Sequence, residues 1–190
     1  MYPGLIAYQG APGAFSEEAA WYFGGQQAAL LPCASFASLF DRVVTGQTYW
    51  GIVPIENTLA GPVQICVDLM AAHKHELVIV DTIQLRITYA LIAGSADTIE
   101  EIRKVWSHPM ALRQCKTFFA CHPRIEAVSV YDSAGAVQLM ATRKHLGVAA
   151  IANTRCVDLY GGRILRTSLE DNPENYTRFL LITHLRNYSF

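Results

Sequence analysis

The stretch EDNPENYTRFLLI, residues 170–182, is the most informative part of the chain for the fold. In it, a turn-rich acidic segment leads directly into an apolar run. The apolar residues 179–182 are typical of a buried strand, so we expect a final strand over residues 177–183. Thr177 and Arg178 then present a hydroxyl and a guanidinium where a loop enters that strand. Ligand-binding groups of α/β proteins often lie at such junctions.

Strand and helix patterns alternate along the chain, which predicts an α/β protein. A strand-rich stretch over residues 77–93 interrupts the alternation, and we interpret it as a crossing between two α/β lobes. A second crossing follows if the final strand returns to the first lobe. We therefore predict a single domain, 1–190, with lobe 1 formed by residues 1 to about 80 plus 176–190, lobe 2 by about 81–175, and a cleft between them.

The composition excludes several classes of protein. Hydrophobic residues make up 52% and charged residues 16%, which fits strands that are buried on both faces. A net charge of −1 provides no basic field, so we expect no nucleic-acid partner. No apolar run reaches transmembrane length, and the N-terminus lacks a signal-peptide pattern, so we expect no membrane partner. Five scattered cysteines favour reduced thiols and a cytoplasmic location, and their spacing does not resemble a metal site.

Two polar-tipped turns lie in the first third of the chain. Ser16 follows a Gly/Pro turn, and we expect it to cap a helix over residues 16–23. In GIVPIENT, residues 51–58, we expect Pro54 to end a strand and Glu56, Asn57 and Thr58 to follow in an exposed loop. Each turn could be an ordinary cap or loop, or a place where free N–H groups meet an anion.

Two similar turns lie further along. Ser107 follows a short strand, and Gln114 lies two helical turns later in a helix that we predict over residues 111–119. Ser133 follows another strand, as the expected cap of a helix over residues 134–143. Each turn alone is a weak signal. If all four converge, their N–H donors and hydroxyls form a pocket that suits a small, doubly anionic molecule.

Taken in order, these blocks resemble the prephenate dehydratase family. The similar blocks are YQGAPGAFS (8–16), VPIENT (53–58), SHP (107–109), ALRQC (111–115), DSAGA (132–136), DNP (171–173) and TRF (177–179). The resemblance covers nearly the whole chain. It implies two α/β lobes resembling type II periplasmic binding proteins, with the active site in the interlobe cleft.

The resemblance also implies a reaction: loss of water and carbon dioxide from prephenate, giving phenylpyruvate in L-phenylalanine biosynthesis. Thr177 matches the family's essential threonine and Glu56 an acidic site residue, so these are the catalytic candidates. Arg178 could bind a substrate carboxylate or pair with Asp171 or Glu174. The resemblance implies no cofactor or metal, and a homodimer. The candidate substrate-binding residues are Asn57, Thr58, Ser16, Ser107, Gln114, Ser133, Arg178 and Phe179.

The chain departs from the family's pattern at its end. Most members continue into an ACT domain that binds phenylalanine, whereas this chain stops at Phe190. We therefore expect no ACT domain and no inhibition by phenylalanine, unless the chain is a piece of a longer protein.

Three alternative functions remain open. The nearest is the same chemistry on arogenate, the amino analogue of prephenate. A second is decarboxylation of prephenate without loss of the hydroxyl, although retention of Thr177 argues against it. A third, from another class, is a non-catalytic module that binds small anions.

Overall fold

The computed structural model of the chain describes residues 2–94, 98–143 and 146–188. Within these ranges the protein is mixed α/β and its strands form two separate sheets, which confirms the predicted fold class. The chain divides into two compact units. Unit 1 comprises Met1–Ala11, Phe15–Arg86 and Tyr176–Phe190, and unit 2 comprises Pro12–Ala14 and Ile87–Asn175.

Strands and helices alternate along most of the chain. The strands are β1 (Ile6–Gln9), β2 (Leu30–Cys33), β3 (Trp50–Asn57), β4 (Gly61–Pro62), β5 (Leu77–Arg86), β6 (Ala90–Ala93), β7 (Lys104–Ser107), β8 (Glu126–Ser129), β9 (Val148–Ala152), β10 (Arg163–Arg166) and β11 (Tyr176–His184). The helices are α1 (Phe15–Gly24), α2 (Phe36–Val44), α3 (Gln64–Ala72), α4 (Pro109–Arg113), α5 (Lys116–Cys121), α6 (Ser133–Arg143) and α7 (Cys156–Tyr160), with 3₁₀ turns at Ile99–Glu101 and Leu185–Asn187.

The sheet of unit 1 has the strand order β2-β1-β3-β11-β5, and β4 pairs with the end of β3. Strand β1 is parallel to β2 and β3, whereas β11 is antiparallel to both β3 and β5. Phe179 and Leu181 belong to the apolar cluster that contains α1 residues, and Leu180 and Ile182 to the cluster that contains residues of α2 and α3. Burial on both faces explains why β11 is an almost continuous apolar run.

The sheet of unit 2 has the strand order β10-β6-β9-β7-β8. Strands β7, β8 and β9 are parallel, and β6 is antiparallel to β9 and β10. All residues of β9 are buried, and helix α6 packs against β7 and β9. Because β7 and β8 end at the same edge of the sheet, the segments that follow them, which lead into α4 and α6, begin at this edge.

One local prediction fails at Pro54. Strand β3 does not end there but continues to Asn57. Strand β1 pairs with β3 only over Trp50–Ile52, and the pairing with β11 shifts register just after Pro54. A one-sided stretch and a bulge are the two settings in which a sheet accepts proline. Glu56 and Asn57 therefore lie in a paired strand, not in the predicted loop.

A second local prediction fails at the expected helix over residues 111–119. Two short helices replace it, since α4 ends at Arg113 and α5 begins at Lys116. The carboxylate of Asp171 accepts hydrogen bonds from the N–H groups of Lys116 and Thr117, both at 2.8 Å, and so caps a new helix. Gln114 consequently follows α4 as its C-terminal cap.

Candidate active site

The first group of candidate residues lies where β3 pairs with β11 in unit 1. Asn57 is opposite Thr177, and Glu56 is opposite Arg178. Thr58 extends this pairing by one residue, because its N–H donates to the carbonyl of Tyr176 at 2.9 Å and its hydroxyl accepts the N–H of Tyr176 at 3.0 Å. The structure thus brings together five of the predicted residues, and Thr58 secures the end of the strand pair.

The side-chain amide of Asn57 holds the Thr177 hydroxyl in place. Its Nδ2 donates to Thr177 Oγ1 at 3.0 Å and to the Tyr176 carbonyl at 3.1 Å. Its Oδ1 accepts the N–H groups of Leu59 and Ala60, both at 3.0 Å, which fixes which end of the amide is the donor. Since Thr177 Oγ1 accepts from Asn57, this bond does not use the hydroxyl's single proton, which can be donated to a different acceptor.

The second feature of the pairing between β3 and β11 is the ion pair between Arg178 and Glu56. Arg178 Nη2 lies 2.8 Å from Glu56 Oε2, and about half of each side chain is exposed. Of the two carboxylates that we considered as structural partners of Arg178, Asp171 instead caps α5. Because the pair is solvent-exposed, the guanidinium can exchange Glu56 for another carboxylate at small cost.

Two further predicted residues of unit 1 have different settings from those expected. Phe179 is 2% exposed and packs in the apolar cluster with α1, so it anchors β11 instead of facing a ligand. Ser16 lies inside the first turn of α1, which begins at Phe15, and so does not cap the helix as predicted. Within the described ranges its hydroxyl has no hydrogen-bond partner.

Two serines of unit 2 form a chain of hydrogen bonds. Ser107 is completely buried at the end of β7, and its hydroxyl donates to the Ile151 carbonyl at 2.5 Å. Its Oγ also lies 3.0 Å from Ser133 Oγ. Because the hydroxyl proton of Ser107 is used in its hydrogen bond to Ile151, Ser133 is the donor in this second bond. Ser107 therefore orients Ser133.

The predicted role of Ser133 as a helix cap is wrong. Helix α6 begins at Ser133, and the cap is Asp132, whose Oδ1 accepts the N–H groups of Ala134 and Gly135 at 2.7 and 3.0 Å. The carboxylate thus occupies N–H groups that we expected to meet an anion. The Ser133 hydroxyl, not the start of α6, remains the polar group that this turn offers.

The side chain of Gln114 is buried in the loop between α4 and α5. Its Oε1 accepts hydrogen bonds from the hydroxyl of Tyr89 and the side-chain amide of Asn175. Neither donor was predicted from the sequence. Asn175 lies within the opening stretch and could have been noticed there, whereas nothing local in the sequence marks Tyr89.

The neighbouring His108 caps α4. Its Nδ1 accepts the N–H of Met110 at 3.2 Å, which requires an unprotonated Nδ1. Burial lowers the pKa of His108, the Asp132 carboxylate opposes the shift, and Arg113 adds to it. The ring therefore favours its neutral form near neutral pH.

Two kinds of feature are absent from the described ranges. In residues 2–94, 98–143 and 146–188, no three His, Cys, Asp or Glu side chains converge as metal ligands. Over the same ranges, no helix has both the length and the apolar character needed to cross a membrane.

The architecture defines a mixed α/β protein with two sheets, whose polar groups lie at strand ends and at the starts of helices. The sequence model of the family "Prephenate dehydratase" matches residues 6–187. The chain belongs to the prephenate dehydratase family, which confirms the resemblance found in the sequence.

Individual relatives agree with this assignment. A bifunctional chorismate mutase/prephenate dehydratase of Stutzerimonas stutzeri is 34% identical over 95% of this chain and 48% of its own length. Arogenate dehydratase 1 of Petunia hybrida is 34% identical over 93% of this chain and 41% of its own length. The solved structure of an Arthrobacter aurescens prephenate dehydratase in complex with L-Phe has a TM-score of 0.85 and 27% identity, over 95% of this chain and 60% of that one. The chain spans about half the length of the curated relatives it matches.

Proposed function

We propose that the chain is a prephenate dehydratase, which converts prephenate to phenylpyruvate, water and carbon dioxide. Membership of the family supports the reaction, and the contact between Asn57 and Thr177 supports the assignment of the catalytic group. This contact is the observation that carries the proposal, because it leaves the threonine's proton for an acceptor other than Asn57.

The chemistry requires help mainly at the leaving hydroxyl. The bond from the ring carbon to its carboxylate breaks, carbon dioxide departs, and the electron pair of that bond completes the aromatic ring as the ring hydroxyl leaves. That hydroxyl must gain a proton to leave as water. An alcohol is a poor acid, so Thr177 acts as a positioned hydrogen-bond donor that stabilises the departing oxygen while its charge develops.

The substrate's carboxylates need donors of their own. Arg178 is the charged candidate, since a guanidinium binds a carboxylate through two parallel hydrogen bonds. Glu56 then acts by holding Arg178 in position before substrate binds. Gln114, Ser133 and Ser16 supply neutral polar contacts. Ser107 acts through Ser133, and Thr58 through the β3–β11 pair.

The proposal is tested by incubating the purified chain with prephenate and measuring the alkaline ultraviolet absorbance of phenylpyruvate. We expect product, and we expect Thr177→Val to lower kcat by about 10²–10³-fold, the usual effect of losing one donor to a developing oxyanion. Valine retains the β-branched shape that suits a strand. Thr177→Ser, which keeps the hydroxyl, is the matched control. Absence of product from a folded chain would refute the proposal.

The alternative substrate is arogenate, which some relatives act on according to their names. Side-by-side turnover of the two substrates decides between them, because arogenate yields phenylalanine, which amino-acid analysis detects. Binding of prephenate without turnover of either substrate would instead indicate a non-catalytic anion-binding module.

We also propose that the chain acts as a cytoplasmic homodimer. The five cysteines carry free thiols, which suits a reducing compartment. Strand β5 is ten residues long and pairs with β11 on one side, and in the described part of the chain no strand covers its other edge. A second copy would protect such an edge. Light scattering after gel filtration should give twice the mass of 21.0 kDa, and a monomer would refute the dimer.

A further inference from the structure

A buried cluster in unit 2 fixes the side-chain amide of Gln114. Its Oε1 lies 3.2 Å from the Tyr89 hydroxyl and 3.0 Å from Nδ2 of Asn175, and both groups donate to it. Tyr89 is 6% exposed and Asn175 is completely buried. Two donors match the two lone pairs of an amide oxygen, so this end of the Gln114 side chain is saturated.

Saturation at one end determines what the other end presents. The oxygen and the NH₂ group of a glutamine amide lie on opposite sides of one planar group, and a half-turn about the last side-chain bond exchanges them. Such a half-turn would place an NH₂ group against two donors. We propose that Tyr89 and Asn175 are positioning residues, which hold the Gln114 amide with its N–H donors towards the substrate's oxygen atoms. This inference rests on the proposed function.

Hydrogen bonds around the cluster hold the backbones of Tyr89 and Gln114 in place. The N–H of Tyr89 donates to Glu170 Oε2 at 2.9 Å, and its carbonyl accepts the N–H of Leu169 at 3.1 Å. The carbonyl of Gln114 accepts the N–H of Asp171 at 2.7 Å. The segment 169–175 therefore binds the backbones of Tyr89 and Gln114, and also supplies the Asn175 side chain.

The Tyr89 hydroxyl is suited to act as a permanent donor. Burial raises the pKa of Tyr89, and the nearby Cys115 and Glu170 add to the shift. The phenol consequently keeps its proton throughout the pH range in which an enzyme would work. The cluster could still serve only to stabilise unit 2, and the two roles predict different kinetics.

Tyr89→Phe is the first test, because it removes one hydroxyl and keeps the ring. We expect it to lower kcat/KM for prephenate about tenfold while the protein stays folded, consistent with loss of one buried hydrogen bond. Tyr160→Phe is the matched control. That residue also lies in unit 2, and its hydroxyl likewise donates one hydrogen bond, to a backbone carbonyl, Pro12 O, at 2.8 Å. We expect the control to change kcat/KM by less than about twofold.

Combination with Gln114→Met distinguishes positioning from stabilisation. If Tyr89 acts through Gln114, Tyr89→Phe should have no further effect on kcat/KM once the amide is gone, so the double-mutant cycle is strongly non-additive. Asn175→Asp provides the second variant, because a carboxylate there attracts the NH₂ group and turns the amide around. We expect a loss of about 100-fold, larger than for Tyr89→Phe, since the amide then presents an acceptor to the substrate.

Each outcome of the cycle decides the matter. A folded Tyr89→Phe enzyme with wild-type kcat/KM, or equal losses with and without Gln114, would overturn the positioning role and leave the proposed function intact. A wild-type chain that turns over neither prephenate nor arogenate would overturn the proposed function, and the positioning role with it. Non-additive losses in variants that remain folded at the assay temperature would support the inference.

Discussion

Replacement of Asn57 by aspartate is the sharpest test of how the structure prepares Thr177. The two side chains have the same shape, so Asn57→Asp keeps the oxygen that accepts the N–H groups of Leu59 and Ala60. It removes the donor to Thr177 Oγ1 and to the Tyr176 carbonyl. The carboxylate that replaces this donor accepts the Thr177 proton, which reverses the direction of that hydrogen bond.

The expected magnitudes follow from this change. The hydrogen bond to the Tyr176 carbonyl is lost and that oxygen then faces a carboxylate, which lowers the free energy of unfolding by about 2 kcal/mol. For a chain of this length that corresponds to a decrease in Tm of about 4–8 °C. The effect on catalysis should be larger, because the proton that stabilises the leaving oxygen is now bound to the carboxylate. We expect kcat to fall about 10²–10³-fold, as for loss of any preorganised donor.

The measurement combines phenylpyruvate formation with thermal unfolding of the same samples. In a Thr177→Val background, Asn57→Asp should lower Tm but change kcat no further, because the group on which Asn57 acts is already absent. Wild-type kcat in a folded Asn57→Asp enzyme would contradict the reasoning. So would a full further loss in the Thr177→Val background, since Asn57 would then act independently of Thr177.

The remaining predictions concern a titrating ring, an ion pair and a thiol. Because burial lowers the pKa of His108 below its unfolded value, its contribution to stability is present near neutral pH and is lost as pH falls through the lowered value. Urea unfolding between about pH 5 and 8 should show that the free energy of unfolding decreases as the pH falls. His108→Asn, which keeps a capping acceptor, should reduce this pH dependence. An unchanged pH dependence would exclude His108 as its source. Glu56→Gln should change the free energy of unfolding by less than about 1 kcal/mol, because the ion pair between Glu56 and Arg178 is exposed. The substitution should raise KM more than it lowers kcat. A kcat loss as large as that of Thr177→Val would instead make Glu56 directly catalytic. Cys121 is exposed while the other cysteines are buried, so Ellman's reagent should detect one fast thiol in the native protein, and Cys121→Ser should remove it; several fast thiols would contradict the burial.

Local patterns in the sequence predict most elements of the fold. The apolar runs at β1, β9 and β11 are short and continuous, and the structure places all three as strands. The burial of these strands can be predicted without knowledge of distant residues, because a run that is apolar at every position must be covered on both faces. The order of the strands in each sheet requires such knowledge, since antiparallel β11 enters between β3 and β5 from the far end of the chain.

The failed predictions at Pro54 and over residues 111–119 have distant causes. Proline normally ends a central strand, but Pro54 is accepted because β1 stops pairing at Ile52. The helical pattern after Ala111 is continuous in sequence, but Asp171 supplies a cap from 55 residues away and divides the helix. A pattern confined to ten or fifteen residues contains no information about either event.

In the candidate site, too, the sequence predicts individual residues but not the contacts between distant ones. Motif similarity selected Asn57 and Thr177 separately, yet their hydrogen bond joins positions 120 residues apart and was not predicted. Ser133 was selected for the wrong reason, since the cap that we assigned to it is provided by Asp132. Tyr89 was missed because a tyrosine within a strand-rich stretch carries no local sign of a hydrogen bond to Gln114.

Several of these distant contacts involve residues of the stretch 170–182. Asp171 separates α4 from α5 and thereby places Gln114 at the end of a helix. Four residues later, Asn175 donates to the Gln114 side chain, and two residues after that Thr177 accepts from Asn57. The acidic turn thus positions Gln114 in unit 2, and the strand that follows it carries Thr177 to Asn57 in unit 1.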